Sequence, residues 1–144
     1  MAILSEKTWQ RHSNPLSAWS RALSFVLLPI IIWYKSWYLL IAFIIWLIIN
    51  PLLFPNPKSQ SGWMSRAVIG EKIYTASGKV KADLSTALNF TNLVTVLILI
   101  YTSYNQMLVA TILLTIISYL LKFWYLDKMV YLADSNKHLN NPQI

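Results

Sequence analysis

The side chains in this sequence whose types and placement could do chemistry are Arg11, His12, Asn14, Arg21, Asn50, Arg66, Glu71 and Lys122. Arg11, His12 and Arg21 flank the pair Asn14-Pro15, which suits a helix start, with asparagine as cap and proline where its missing donor costs nothing. A helix N-terminus offers free backbone donors to an anion. Guanidinium groups add paired hydrogen bonds to a phosphate or carboxylate. Anion binding is therefore the chemistry this set suggests. Acid–base catalysis asks for more, because His12 has no carboxylate at a fixed nearby spacing to orient it. Glu71 could pair with His12 or Arg66 only if the fold brings them together. The chain holds no cysteine, which excludes disulfides, thiolate nucleophiles, zinc–thiolate sites and iron–sulfur ligation. His12 and His138 lie far apart and outside every apolar run. No metal site, haem or other cofactor is expected.

The elements that must position these residues belong in a bilayer. Of 144 residues, 56% are hydrophobic and 12% charged, against roughly 45–50% and 25% in an ordinary globular domain. Apolar runs cover about 15–34, 37–54, 84–104 and 107–126, in two pairs split by Lys35-Ser36 and by Asn105-Gln106. They are continuously apolar, which suits helices and not barrel strands. Bulky Trp33, Tyr34 and Lys35 stand where signal-peptide cleavage would need small residues. Asp83 suits the cap of the third run. The expected fold is an all-α, polytopic transmembrane four-helix bundle made of two helical hairpins, forming a single domain over 1–144. The connection 55–83 opens with Phe54-Pro55-Asn56-Pro57. It then carries a stretch, Trp63 to Tyr74, that reads as a short amphipathic helix on the inner face, with Gly70 as an interruption and Gly78 as a stop. Residues 134–144 read as a mobile tail.

All of the twelve Lys and Arg except Lys35 fall on the side of the termini and the middle connection. The positive-inside rule then predicts a plasma-membrane protein with both termini cytoplasmic. Hairpin geometry also sets depth. Residues opposite each other across the first turn sum to about 71, so Arg21 is expected to face Asn50; across the second turn the sum is about 211, so Asn89 is expected to face Lys122. All four fall roughly 22–25 Å from the turns, in one layer near the inner edge of the hydrocarbon. Thr111, Thr115 and Ser118 follow the face of Lys122, while Ser85, Asn92 and Thr95 follow that of Asn89. Inter-helix hydrogen bonding at ~0.6 kcal/mol each is the plain account of these stripes. Asn50 precedes Pro51 and suits a role in satisfying backbone freed by the proline. Arg21 and Lys122 either snorkel to the interface or are balanced by an anionic ligand, since no acidic residue lies in the neighbouring spans.

The stretch Arg11-His12-Ser13-Asn14-Pro15-Leu16-Ser17-Ala18-Trp19-Ser20-Arg21, then Asn50-Pro51-Leu52-Leu53-Phe54-Pro55-Asn56-Pro57, then Trp63-Met64-Ser65-Arg66 with Val68, Gly70 and Glu71, resembles a family of small bacterial and archaeal integral membrane proteins known as a domain of unknown function. The likeness runs through the first half of the chain and somewhat beyond. It implies no activity. It does imply that Arg11, His12, Asn14, Arg21, Asn50, Arg66 and Glu71 share one site. The expected role is a scaffold or accessory subunit with an inner-leaflet anion or lipid-headgroup site. The alternative is a membrane-embedded enzyme acting on a lipid or amphiphile at the cytoplasmic face. A small transporter or channel comes third, because a midplane acidic residue is missing. The net charge of +7 follows the membrane rim, so nucleic acid is not an expected partner. Anionic membrane lipids, a second copy of the chain or a larger membrane protein are.

Overall fold

The computed structural model describes residues 11–57, 59–76 and 82–140, with side chains at all of them except 138–140. Among these residues there are helices and no strands. Helix α1 is Pro15–Ser24 and α2 is Leu27–Trp33. Asn14 caps α1, its side-chain oxygen accepting from the Leu16 amide at 2.9 Å. The break between α1 and α2 has a definite cause. Pro29 cannot donate to the Phe25 carbonyl and its ring crowds that position, so the Leu28 amide takes the carbonyl instead at 3.0 Å. Helix α3 is Trp37–Leu53, α4 is Trp63–Ala76, α5 is Leu84–Tyr104 and α6 is Leu108–Asn140. Asp83 caps α5 by accepting from the Thr86 amide at 2.9 Å.

Three helical stretches are long and apolar enough to cross a membrane: Pro15–Trp33, Leu84–Tyr104 and Leu108–Lys137. Helix α3 is equally apolar but shorter, at 17 residues. Large side chains along these helices lie open, Leu23, Ile48 and Leu120 each about two-thirds exposed. Such a surface is at home in hydrocarbon and a liability in water.

Two tight turns join α2 to α3 and α5 to α6. Both close with the paired hydrogen bonds of a Schellman motif. The Lys35 and Ser36 amides donate to Ile32 and Ile31, and the Gln106 and Met107 amides to Ser103 and Thr102. The motif needs a left-handed residue, and Lys35 (φ 52°) and Gln106 (φ 56°) supply it. The turns also touch each other. The Lys35 ammonium lies 4.6 Å from the Tyr104 ring centre, and Gln106 Nε2 donates to the Trp33 carbonyl at 3.4 Å.

The tightest packing lies at the other end. Helices α4 and α5 both lie along α6, and α1 touches α3 and α4. Met64, Ala67 and Val68 of α4 are buried with Tyr125, Leu126 and Met129 of α6, closed off by Ala18 and Leu88. Gly70 makes this approach possible. A Cβ there would collide with the carbonyl oxygen and carbon of Met129.

The structure corrects the sequence reading in three places. Residues 134–140, expected in a mobile tail, continue α6; 141–144 lie outside the described residues. The helix that carries the fourth apolar run does not end with it near 126, because α6 extends to Asn140 and its distal half is the platform for α4. The expected amphipathic surface helix is α4, yet its buried residues Met64, Ser65, Ala67, Val68 and Gly70 face protein. Gly70 is a contact point and not an interruption. Gly78, the expected stop, lies outside the described residues.

Candidate functional site

Two separate arrangements emerge from the residues singled out above. The first is a hydrogen-bonded clasp. Ser17 Oγ donates to Asn50 Oδ1 at 2.7 Å, and Asn50 Nδ2 donates to Ser20 Oγ at 2.8 Å. Asn50 and Ser17 are wholly buried, so both halves of the amide are satisfied where a missing partner would cost most. Asn14 Nδ2 donates to the Pro55 carbonyl at 2.9 Å. Ser65, also wholly buried, donates to the Ser13 carbonyl at 2.7 Å. Entry to α1, exit from α3 and start of α4 are thereby tied together. Asn14 and Asn50 are occupied in this role.

The second arrangement is a cavity of about 410 Å³ between α1, α4, α5 and α6. His12, Arg21, Glu71, Asn92, Ser118, Tyr119 and Lys122 provide its polar lining, and Phe25, Val68, Phe123 and Leu126 are among its apolar walls. Arg21 is fixed by two neighbours. Its Nε donates to the Ser17 carbonyl at 3.3 Å, and its Nη1 lies 3.0 Å from both ring nitrogens of His12. A guanidinium can only donate, so this contact suits a neutral imidazole whose lone pair accepts. Burial, then the charges of Arg21 and Lys122, lower the His12 pKa from 6.5 to about 4. The Lys122 ammonium lies 4.7 Å from the Tyr125 ring centre, and the Tyr125 hydroxyl reaches Glu71 Oε1 at 3.4 Å. Ser118 donates to Asn92 Oδ1 at 2.8 Å. Tyr119 donates to the Ala22 carbonyl at 2.7 Å, next to the α1–α2 break. Trp19 and Trp63 form a triangle with Phe123 of the cavity wall, ring centres 6.0–6.2 Å apart.

The structure thus brings His12, Arg21, Glu71 and Lys122 to one cavity and leaves the others out. Arg66 pairs instead with Asp134 at 2.6 Å, by a second, open groove. Arg11 precedes His12, is not part of the lining, and has a buried Nε without a hydrogen-bond partner. Arg21 does not bond Asn50, whose partners are Ser17 and Ser20. Asn89 is exposed, and Asn92 stands in the cavity in its place. Among the described residues no group of three or more His, Asp or Glu could hold a metal ion. In the sequence Asn92 and Ser118 stand out only as members of polar stripes. It gives no signal for Phe25, Tyr119 or Phe123, which sit in continuously apolar runs.

The model of a family described as "Family of unknown function (DUF6653)" matches residues 2–141. The chain belongs to this family. The DUF6653 match spans both halves of the chain, so the clasp and the cavity alike fall inside the family's domain. No curated protein and no solved structure matches the chain. The reading of this DUF6653 member's cavity rests on its geometry.

Proposed function

We propose that this chain is a four-span membrane protein whose cavity binds the phosphate of a membrane phospholipid at the cytoplasmic leaflet. One observation supports this above all: Arg21 and Lys122, carried by two different helices, line a mainly apolar cavity together with a neutral His12. Two cations against one carboxylate leave the cavity positive. In a partly dehydrated site an unbalanced charge is costly, and a guanidinium suits a phosphate through two parallel hydrogen bonds. Trp19 and Trp63, packed on Phe123 of the cavity wall, have the type favoured where bilayer meets water, which argues for a lipid over a free anion.

The four spans are α1–α2, α3, α5 and α6, taken as two hairpins. At about 1.5 Å per residue α3 reaches roughly 25 Å, near the lower limit for a span. The distribution of Lys and Arg orients termini and α4 to the cytoplasm. A pure scaffold role accounts for the apolar surface but not for the cavity. Catalysis is the weaker reading, since both ring nitrogens of His12 lie against Arg21 and proton transfer would first require that contact to open.

The test is phospholipid retained through purification in mild detergent, counted by mass spectrometry. Wild type is expected to retain it, Arg21→Lys less and Arg21→Gln least, with all three eluting as one folded species. Equal retention by the three would leave Arg21 as a snorkelling residue and overturn the proposal.

A further inference from the structure

The headgroup that fits this cavity follows from how its charges are placed, an inference that rests on the phospholipid reading above. Glu71 lines the same cavity as Arg21 and Lys122, yet the ion pair found among the described residues is Arg66 with Asp134, elsewhere. Neither cation closes an ion pair with Glu71, although Glu71 lies within electrostatic reach of Arg21, and each cation has contacts of its own. Arg21 is fixed on the Ser17 carbonyl and on His12. Lys122 sits over the face of Tyr125 at 4.7 Å, while the hydroxyl of that same ring meets Glu71 Oε1 at 3.4 Å. One tyrosine therefore touches both charges. Ionised carboxylates accept up to about four hydrogen bonds, and this one receives a single long one from the protein.

A cavity lined by two cations and an underused carboxylate is complementary to a ligand that carries both charges. We propose that it takes an ethanolamine-type phospholipid headgroup, with the phosphate against Arg21 and Lys122 and the primary ammonium on Glu71. A primary ammonium brings three donors to the carboxylate, whereas a choline headgroup brings none. A serine headgroup would add a carboxylate facing Glu71. The strongest competitor is a glycerol headgroup. Its net negative charge would balance the cavity as a whole but leave Glu71 against neutral hydroxyls, and because charge interactions weaken with distance the contact pairing decides.

The protein would be reconstituted with equal amounts of phosphatidylethanolamine, phosphatidylglycerol and phosphatidylcholine, re-extracted in mild detergent, and its bound lipids counted by native mass spectrometry. Wild type is expected to carry phosphatidylethanolamine over either competitor by about tenfold, the scale of one charge-assisted contact. In Glu71→Gln total bound phospholipid should persist while this preference disappears. Equal uptake of the three lipids, a preference for phosphatidylglycerol, or a preference that survives Glu71→Gln would overturn the headgroup assignment. The wild-type ratio alone decides if the variant does not fold. No bound phospholipid in wild type would instead overturn the broader phospholipid reading.

Discussion

Arg21 Nη1 lies 3.0 Å from both Nδ1 and Nε2 of His12, and burial first, then the charges of Arg21 and Lys122, favour the uncharged form of the one titratable group at the cavity that ordinarily changes charge near neutral pH. The consequence for stability has a definite sign. With a folded pKa of about 4 against 6.5, the unfolded chain binds more protons between those values. The contribution is full above pH 6.5 and is lost as pH falls toward 4. Thermal unfolding in detergent is expected to show a loss of roughly 1–2 kcal/mol between neutral pH and pH ~5, at about 1.4 kcal/mol per unit reduced for partial exposure. His12→Gln should lack this component. A His12→Gln variant as pH-sensitive as wild type would show that other groups carry the effect.

Asn50 holds the clasp with both ends of its amide. Asn50→Leu keeps the branched outline in a bulkier side chain and strands the Ser17 hydroxyl in a wholly buried place. The expected cost is about 1–3 kcal/mol, read as a lower unfolding temperature. Asn89→Leu, on an exposed side chain, should be neutral, while Asn92→Leu should cost no more than ~1–2 kcal/mol through loss of the Ser118 contact. A large effect at Asn89 and none at Asn92 would reverse the assignment made from the geometry.

Gly70 carries the α4–α6 contact. Gly70→Ala places a methyl group into the Met129 carbonyl, backbone against backbone, so the helices must separate. A loss of about 1–3 kcal/mol or more is expected. Retained phospholipid should fall too, because Val68 and Glu71 would move with α4. Gly62→Ala is the control, since the nearest atom to its Cβ would be Ser65 Oγ at 3.9 Å. Equal stability of the two variants would show that α4 docks more loosely than described.

Much of this was legible in the sequence at the level of elements. The residue types that mark helix starts, Asn14 and Asp83, do cap α1 and α5. Summing residue numbers across each turn gave the right level, for Ser20 and Asn50 meet where Arg21 and Asn50 were expected to. Azimuth was the missing coordinate. Neighbours on a helix differ by about 100° in direction, so the residue beside Ser20 turns away from α3 and into the cavity. Asn89 and Asn92 differ by about 60° in direction and nearly one turn in level, which leaves Asn89 exposed and puts Asn92 against Ser118. The distal half of α6 was illegible for a different reason. Asp127, Lys128 and Asp134 interrupt the apolar run, and what keeps this part helical and packed is contact with α4, which no local pattern displays. Glu71 and Lys122 joined one cavity through that docking.

Topology can be tested from two contacts between the turns. Lys35 sits over Tyr104, and Gln106 bonds the Trp33 carbonyl, so both turns lie at one end of the molecule. Helix α4 and the cavity lie at the other. If α1–α2 and α3 both cross the bilayer, a reporter inserted at Ser36 and another at Asn105 must report the same side, and one at Gln60 the opposite side. From the Lys and Arg distribution the Gln60 side is expected to be the cytoplasmic one. Helix α3 is the span at risk, because its 17 residues fall short of the usual ~20. Were it to lie along the interface instead, Ser36 and Gln60 would report one side together. That outcome would replace two hairpins by a three-span arrangement and remove α3 from the membrane.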